Sequence, residues 1–247
     1  MVYHDKVSFP GMPKGYERVM DLRSFLVRLG LLLCLAPLPA GAQNLSLPGL
    51  AVGMKRVTPT IWVDRAAGGK QVEAIRARIA AAERKVGAEF GRLRAAPLWQ
   101  VCVTKECDRR NAMTSRAMTL GGLVITVSSK AVNDPVTYVH ERVHAETHRA
   151  EGFAGRKKGL LPTWFDEGLA TIISRSVGYP KGVAQCRAVA NWKLPATRKE
   201  FVALSKSNGK GAGPVYTASA CAVQKWLGAG RKPADALGQL RAGRRLP

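Results

Sequence analysis

The residues best suited to chemistry lie in one short segment, His140-Glu141-Arg142-Val143-His144. In a helix, positions four apart differ by about 40° around the axis and about 6 Å along it, so His140 and His144 face one point where a metal ion can bind. Glu141 lies about 100° away and can act on a water molecule rather than bind the same ion. Two histidines and a glutamate in this order predict zinc-dependent hydrolysis, with Glu141 as the general base.

A catalytic zinc ion also needs a third protein ligand and one open position. The segment PTWFDEGLA, residues 162–170, places an acid near the start of a second helix, followed by small residues that permit close packing. We therefore predict Glu167 as the third ligand. A metzincin site is excluded, because Ala150 stands where that pattern requires a histidine. His148 lies about 12 Å along the helix from His140 and cannot share its ion. It either lines a cleft or is a solvated residue near the helix end.

HERVH followed by WFDEGLA resembles the gluzincin clan of zinc metallopeptidases, and in particular the small bacterial peptidase MA-like proteins, or minigluzincins. The resemblance spans most of residues 57–240 and rests on the zinc motifs. It implies a zincin-like α+β catalytic domain, with a small mixed β-sheet, the HExxH helix beneath it, a second ligand-bearing helix and a helical C-terminal part. It assigns zinc to His140, His144 and Glu167, and the general base to Glu141.

The same resemblance implies a Tyr or His that stabilises the oxyanion. Tyr216 precedes a late helix, as in the aminopeptidase-type members, and is our candidate; a Tyr that only packs at a helix start is the alternative, and Tyr179 is the second candidate. The thermolysin-like pattern has an Asp four residues after the ligand Glu, where this chain has Thr171. Asp166 is the nearby carboxylate that could replace it as the partner of a histidine ligand.

The elements that must hold these residues follow from capping and periodicity. Asp134 and Pro135 begin the helix that carries His140, and this helix is expected to end near Arg149. Residues 152–162 predict a loop. Strands come early and helices late, which is typical of an α+β fold. The other predicted elements are strands at residues 60–63, 98–103 and 123–127, and helices at residues 71–94, 163–175, 183–193, 197–206, 215–228 and 233–242.

Residues 1–42 predict an N-terminal extension and a secretory signal peptide. Arg23 and Arg28 accompany a short apolar run, and the small residues at 40–42 match a cleavage site. We expect an exported protein, periplasmic or secreted. The alternative is a chain anchored in the membrane by an uncleaved signal. The mature chain has no stretch of 18 apolar residues, which predicts that it contains no stable membrane span.

The remainder of the chain divides in two. Residues 43–58 are rich in Pro, Gly and Leu and predict a linker, and residues 59–247 form the gluzincin-like metallopeptidase domain. Four cysteines follow the signal: Cys102, Cys107, Cys186 and Cys221. An even number in an exported chain predicts two disulfides. Three pairings are possible and we favour the two local ones; free buried thiols are the alternative.

The charge of the chain bears on its partners. Its 247 residues include 39 Lys+Arg and 17 Asp+Glu, a net charge of +22. Residues 1–42 contain five basic and three acidic residues, so their removal leaves +20. Such a chain binds polyanions, but its basic residues are scattered and match no nucleic-acid motif, which argues against nucleic acid. The expected partners are a peptide or protein substrate and an anionic envelope component. The cluster at residues 156–158 is a solvated loop or a point of attraction for that component.

Two functions remain open on this evidence. The first is an exported zinc metallopeptidase. The second is a non-catalytic basic envelope protein that binds anionic polymers and has a structural or vestigial zinc site. The intact Glu141 favours the first, because a purely structural zinc site needs no general base.

Overall fold

The computed structural model describes residues 51–207 and 211–247. The predicted signal peptide and residues 43–50 of the predicted linker lie outside the described residues. The described strands are β1 (Met54–Thr58), β2 (Ile61–Asp64), β3 (Leu98–Val101), β4 (Ala117–Leu120) and β5 (Val124–Val127). The described helices are α1 (Gly69–Phe90), α2 (Lys105–Arg110), α3 (Pro135–Lys158), α4 (Thr163–Ser174), α5 (Val183–Ala188), α6 (Arg198–Ser207), α7 (Gly213–Leu227) and α8 (Pro233–Arg241).

The five strands form one mixed sheet in the order β1-β2-β3-β5-β4. Strands β2, β3 and β5 run parallel in its centre, and β1 and β4 pair antiparallel at its two edges. The central strands are short, largely apolar and mostly buried, as expected for parallel strands covered on both faces. Together with the helices this confirms the coarse prediction of an α+β fold with a small mixed sheet.

Strand β1 lies in the segment for which the sequence predicts a linker, so that prediction is wrong for residues 54–58. Lys55 and Arg56 are both exposed, which hides the alternation that identifies a strand. Charged side chains of this kind are common on edge strands, where one side has no neighbour. The other edge strand, β4, and the short helix α2 also lie where the sequence predicted no element.

Helix α3 begins where the sequence predicts. The Asp134 side chain accepts a hydrogen bond of 3.1 Å from the Val136 N–H, and Pro135 occupies the first helical position. Its first part ends at the non-helical Gly152, close to the predicted end near Arg149. A second helical part follows up to Lys158, so the loop predicted for residues 152–162 is wrong up to residue 158.

The two helical parts meet at a kink at Gly152. Gly152 has φ 65° and ψ 177°, a conformation that residues with a side chain avoid, so the helix changes direction there. The part before Gly152 is largely buried, whereas Phe153 and the basic residues after it are exposed. The break that the sequence predicts is therefore present at Gly152, and a second helical part follows it instead of a loop.

Helix α3 lies at the centre of the packing and contacts β4, β5, α1, α4 and α8. Its Tyr138 stacks on Trp99 of β3, with ring centroids 5.7 Å apart. Phe165 of α4 packs edge-on against Trp226 of α7 at 5.1 Å. The first contact holds α3 on the sheet and the second holds α4 against α7. Helices α3 and α4 also pack directly against each other, so the histidines and acids on their facing sides meet.

Gly168 allows α4 to approach α7. A Cβ atom at this position would lie 2.5 Å from the backbone oxygen of Ser219, closer than real atoms pack. Gly168 therefore allows the helix that carries Glu167 to lie close to α7, the helix that carries Tyr216.

The described residues belong to one compact unit, Ser46–Pro247, which has its own hydrophobic core and so can fold without residues 1–45. It contains the disulfides Cys102–Cys107 and Cys186–Cys221, the local pairing that the sequence analysis favours. Two disulfides are typical of a protein that folds in an oxidising compartment. Within residues 51–207 and 211–247, none of the helices is long and apolar enough to span a bilayer.

Candidate metal centre

Three ligand atoms from α3 and α4 converge on one point. The Nε2 atom of His140 lies 3.1 Å from Nε2 of His144 and 3.3 Å from Oε2 of Glu167. The Nε2 atom of His144 lies 3.5 Å from the same Oε2 atom. A tetrahedral zinc ion with ligands at about 2.0–2.1 Å holds its ligand atoms about 3.3 Å apart. The donor atoms and the edges of this triangle therefore fit one face of such a site.

The charges around the triangle also favour a cation. Burial raises the pKa of the Glu167 carboxyl, but the rings of His144 and His140 outweigh burial and hold that pKa well below its usual range. Burial lowers the pKa of the His144 ring, but Asp166 and Glu167 outweigh it and raise that pKa well above its ordinary value. The ionised Glu167 carboxylate therefore lies beside a His144 ring that retains its proton, and this arrangement favours a positive charge at the triangle. A metal ion supplies that charge when it displaces the proton.

The second nitrogen of each histidine has a partner that orients the ring. Nδ1 of His140 lies 3.1 Å from Oγ of Ser176, and Nδ1 of His144 lies 2.9 Å from Oδ2 of Asp166. A neutral imidazole carries one N–H group, and placing it at Nδ1 leaves the lone pair of Nε2 free for a metal ion. Metal-binding histidines in proteins are commonly held in this way.

Asp166, which faces the His144 ring, also contacts two other side chains of α3. Its Oδ1 accepts a hydrogen bond of 2.6 Å from the Thr147 hydroxyl, and its Oδ2 lies 2.9 Å from Nε2 of His148. Burial raises the pKa of the Asp166 carboxyl, but the rings of His144 and His148 outweigh burial and hold that pKa well below its usual range. His148 is therefore part of a mostly buried polar network and not a solvated residue.

The same network is a second group whose spacing could hold an ion, namely His144, His148 and Asp166. To serve both groups, the His144 ring would have to offer both nitrogens, and a neutral imidazole has only one free lone pair. With Nε2 of His144 turned toward the triangle, its Nδ1 carries the proton that faces Asp166. In that arrangement Asp166 and His148 lie beside the triangle, and Asp166 holds the His144 ring in place.

Glu141 lies next to the triangle without belonging to it. Its Oε2 accepts a hydrogen bond of 2.6 Å from the Thr119 hydroxyl, and Thr119 belongs to the edge strand β4. This bond fixes the carboxylate and leaves Oε1 available. Thr119 is a residue that the sequence did not indicate, because β4 itself was not predicted.

Arg198, at the start of α6, is a second residue that the sequence did not indicate. Its Nη1 donates a hydrogen bond of 2.7 Å to Oε1 of Glu167, the oxygen that does not face the histidines. The Arg198 side chain is 66% exposed, and its guanidinium lies 5.2 Å from the centre of the Phe201 ring. Arg198 therefore occupies one oxygen of Glu167 and leaves Oε2 for the triangle.

Tyr216, in the first turn of α7, lies on the same side of the site. Its ring centroid is 6.1 Å from that of His140, in an edge-on arrangement. Burial raises the pKa of the Tyr216 phenol, and the charges of Glu167 and Glu141 raise it further, so the hydroxyl stays protonated. Gly178 makes room for it: a Cβ atom there would lie 2.4 Å from Cβ of Tyr216. The second candidate, Tyr179, contacts the Arg175 guanidinium.

The structure thus brings the five residues predicted for catalysis and metal binding to one place, on α3, α4 and α7: His140, Glu141, His144, Glu167 and Tyr216. The four predicted cysteines form the two disulfides and do not belong to this group. Thr119, Ser176 and Arg198 complete the surroundings, and no spacing rule in the sequence connects them to the motif. Comparison of the chain with protein-family models, curated proteins and solved structures finds no match. The case for a function therefore rests on the residues of the site.

Proposed function

We propose that this chain is an exported, zinc-dependent hydrolase that cleaves peptide bonds. The observation that most supports this proposal is the triangle of His140, His144 and Glu167 with the Glu141 carboxylate beside it. When bound there, zinc would act as a Lewis acid toward a carbonyl group and lower the pKa of water to about 7. The remaining steps belong to side chains of the chain itself.

Glu141 is the proton carrier in this proposal. Because Thr119 occupies its Oε2, the Oε1 atom accepts the proton from the attacking water. The same oxygen then delivers the proton to the nitrogen of the leaving group. A base held by one fixed hydrogen bond keeps its free oxygen in place between the two transfers.

Tyr216 stabilises the developing negative charge. Its pKa is raised, so its hydroxyl keeps the proton and can donate a hydrogen bond to the oxygen of the former carbonyl group. Arg198 has a positioning role, because it holds one oxygen of Glu167 away from the metal.

The edge strand β4 favours a peptide as substrate. In the described part of the chain, β4 pairs with β5 on one side only. Its other side can offer N–H and C=O groups to an extended backbone next to Glu141. This strand addition suits a peptide better than a small ester, which has no backbone to pair.

The test compares Glu141→Gln with Glu89→Gln, an exposed glutamate on α1, in zinc-loaded protein. We expect Glu141→Gln to keep its zinc and to cleave a peptide mixture about 100- to 10,000-fold more slowly, with Glu89→Gln unchanged. Cleavage is followed by mass spectrometry and zinc by elemental analysis. Undiminished cleavage by Glu141→Gln would contradict the mechanism. A zinc-loaded wild type that cleaves no peptide favours the non-catalytic envelope protein.

A further inference from the structure

The end of α3 and the β4–β5 turn form a surface that the proposed hydrolysis does not use. The exposed apolar side chains there are Leu120 (58% exposed), Leu123 (68%) and Phe153 (77%). The exposed basic side chains are Arg149, Arg156, Lys157 and Lys158. We call these seven residues the turn patch.

The two parts of the turn patch lie against each other. A Cβ atom at Gly122 would lie 2.8 Å from Cβ of Arg149, so the turn packs directly on α3. A Cβ atom at Gly121 would lie 3.9 Å from Nη2 of Arg156, which reaches from the far side of the kink to the same turn. Leu120 and Leu123 flank these two glycines.

Phe153 stands out most from this surface. It comes directly after the kink at Gly152, and the Nζ atom of Lys157 lies 4.7 Å from the centre of its ring. Glu151, the acidic residue nearest in sequence, has a buried side chain 3.7 Å from the Arg156 guanidinium. The exposed part of the patch is therefore apolar and positively charged.

We propose that the turn patch binds the surface of a membrane that contains anionic lipids. Basic side chains beside a membrane are attracted by acidic headgroups, and protruding Phe and Leu side chains enter the interface beneath them. Phe153 and Leu123 are highly exposed, so most of each side chain projects into solvent and is free to enter an interface. A fluid bilayer accommodates such projections, whereas a protein partner would need a pocket for each one.

This inference goes beyond the proposed hydrolysis and does not depend on it. Thr119, beside Leu120 in β4, binds Glu141, so the patch lies near the candidate active site. A chain held by the patch would therefore present its cleft close to the membrane surface. The binding itself requires neither zinc nor Glu141, and it can be measured with a chelator present.

The experiment uses the processed chain, residues 43–247, which contains the whole compact unit Ser46–Pro247. It is sedimented with vesicles of phosphatidylglycerol and phosphatidylcholine in equal parts, and with vesicles of phosphatidylcholine alone. We expect binding to the mixed vesicles only, and weaker binding as the salt concentration rises. Binding to phosphatidylcholine alone that is as strong as binding to the mixed vesicles would overturn the proposal.

Two matched pairs of variants locate the binding surface. Lys157→Gln/Lys158→Gln is compared with Lys70→Gln/Lys85→Gln, two exposed lysines of α1, because both pairs change the net charge equally. At about fivefold for each charge near the surface, the first pair should weaken binding about 30-fold and the second much less. Equal losses would show that the overall charge binds the vesicles, and the patch would be abandoned.

The second comparison concerns the apolar side chains. Leu123→Ser/Phe153→Ser is compared with Val177→Ser/Val183→Ser, whose side chains are equally exposed at 76% and 69%. We expect the first pair to weaken vesicle binding about tenfold and the second to leave it unchanged. Circular dichroism checks that all variants are folded. If the Leu123→Ser/Phe153→Ser variant binds vesicles like the wild type, the patch does not bind membranes. The same conclusion follows if light scattering shows that the wild type is a dimer and that this variant is a monomer.

Discussion

Helix α3 carries two polar clusters in its buried part, and they balance their charges differently. In the first, Arg142 and Glu146 lie four residues apart and form an ion pair of 2.8 Å. Glu146 also accepts hydrogen bonds from the backbone N–H groups of Arg94 and Ala95, and the Arg142 guanidinium lies 2.8 Å from Glu83. This cluster ties α3 to α1 and to the segment that follows α1.

In the second cluster, His140 and His144 are also four residues apart, but they turn their Nε2 atoms toward the Glu167 carboxylate. Each of these three atoms is a potential electron-pair donor, and none of the three supplies a permanent positive charge. Spacing and burial alone therefore do not separate a structural cluster from a metal site. What separates them is the chemistry of the groups that meet: a guanidinium faces carboxylates in the first cluster, whereas two imidazole nitrogens and a carboxylate oxygen converge in the second.

The largest effect on folding is expected from the first cluster. Arg142→Met leaves Glu146 charged and buried without its partner, so the free energy of unfolding should fall by about 3–5 kcal/mol. Urea titration measures the loss. Arg84→Met, at an exposed position of α1, is the control and should change the free energy by less than about 0.5 kcal/mol. A loss below 1 kcal/mol for Arg142→Met would remove the distinction between the two clusters.

The second cluster should respond to metal instead. Zinc at about 100 times its dissociation constant stabilises a protein that binds it by about 2.7 kcal/mol. We expect this gain in the wild type and none of it in His140→Ala. Urea titrations with zinc and with a chelator measure both values. An equal gain from zinc in the two proteins would place the ion elsewhere.

Asp166 belongs to the surroundings of the second cluster and is expected to affect metal binding only through the His144 ring. Asp166→Asn keeps a group that can accept from the Thr147 hydroxyl but loses the charge that faces Nδ1 of His144. We expect zinc affinity to fall about 10- to 100-fold, as for other residues that orient ligands. Competition with a chelating dye measures the affinity. Asp235→Asn, at an exposed position of α8, should leave the affinity unchanged.

The smallest effect on stability is expected from Glu151. Like Glu141 and Glu146 it is buried on α3, and nearby groups only partly offset the cost of burying its charge. Burial raises its pKa above the ordinary value of 4.5, against the hydrogen bond from the Leu161 N–H. The folded state therefore binds the proton of the Glu151 carboxyl more tightly than the unfolded state does. This proton stabilises the folded state below pH 4.5, and the stabilisation is lost as the pH rises through the pKa of the folded state. Glu151→Gln should therefore show a smaller fall in stability over this range than the wild type. Thermal unfolding at several pH values measures the difference; parallel curves would count against it.

The sequence was most informative where one local rule governs the structure. The cap at Asp134 and the following proline predicted the start of α3, and helical spacing predicted that His140 and His144 share a face. Alternation over residues 98–103 predicted β3, and the short run at residues 123–127 predicted β5, each to within a few residues.

The remaining features depend on contacts distant in the chain. Strand β4 has exposed Met118 and Leu120 on one side and Thr119 on the other, a pattern that resembles a loop until β5 pairs with it. Arg198 lies 31 residues from Glu167 and has no spacing relation to it. Side chains of this kind, which complete a site from another element, become visible only when the elements are packed.

Metal content tests most directly whether His140, His144 and Glu167 form a metal centre. The chain is purified, incubated with zinc, dialysed and examined by elemental analysis, together with the variants Glu141→Gln and His144→Ala. We predict about one zinc ion per chain in the wild type and in Glu141→Gln, and little in His144→Ala. A wild type that retains no zinc, or a His144→Ala variant that retains as much as the wild type, would contradict a metal centre at these residues.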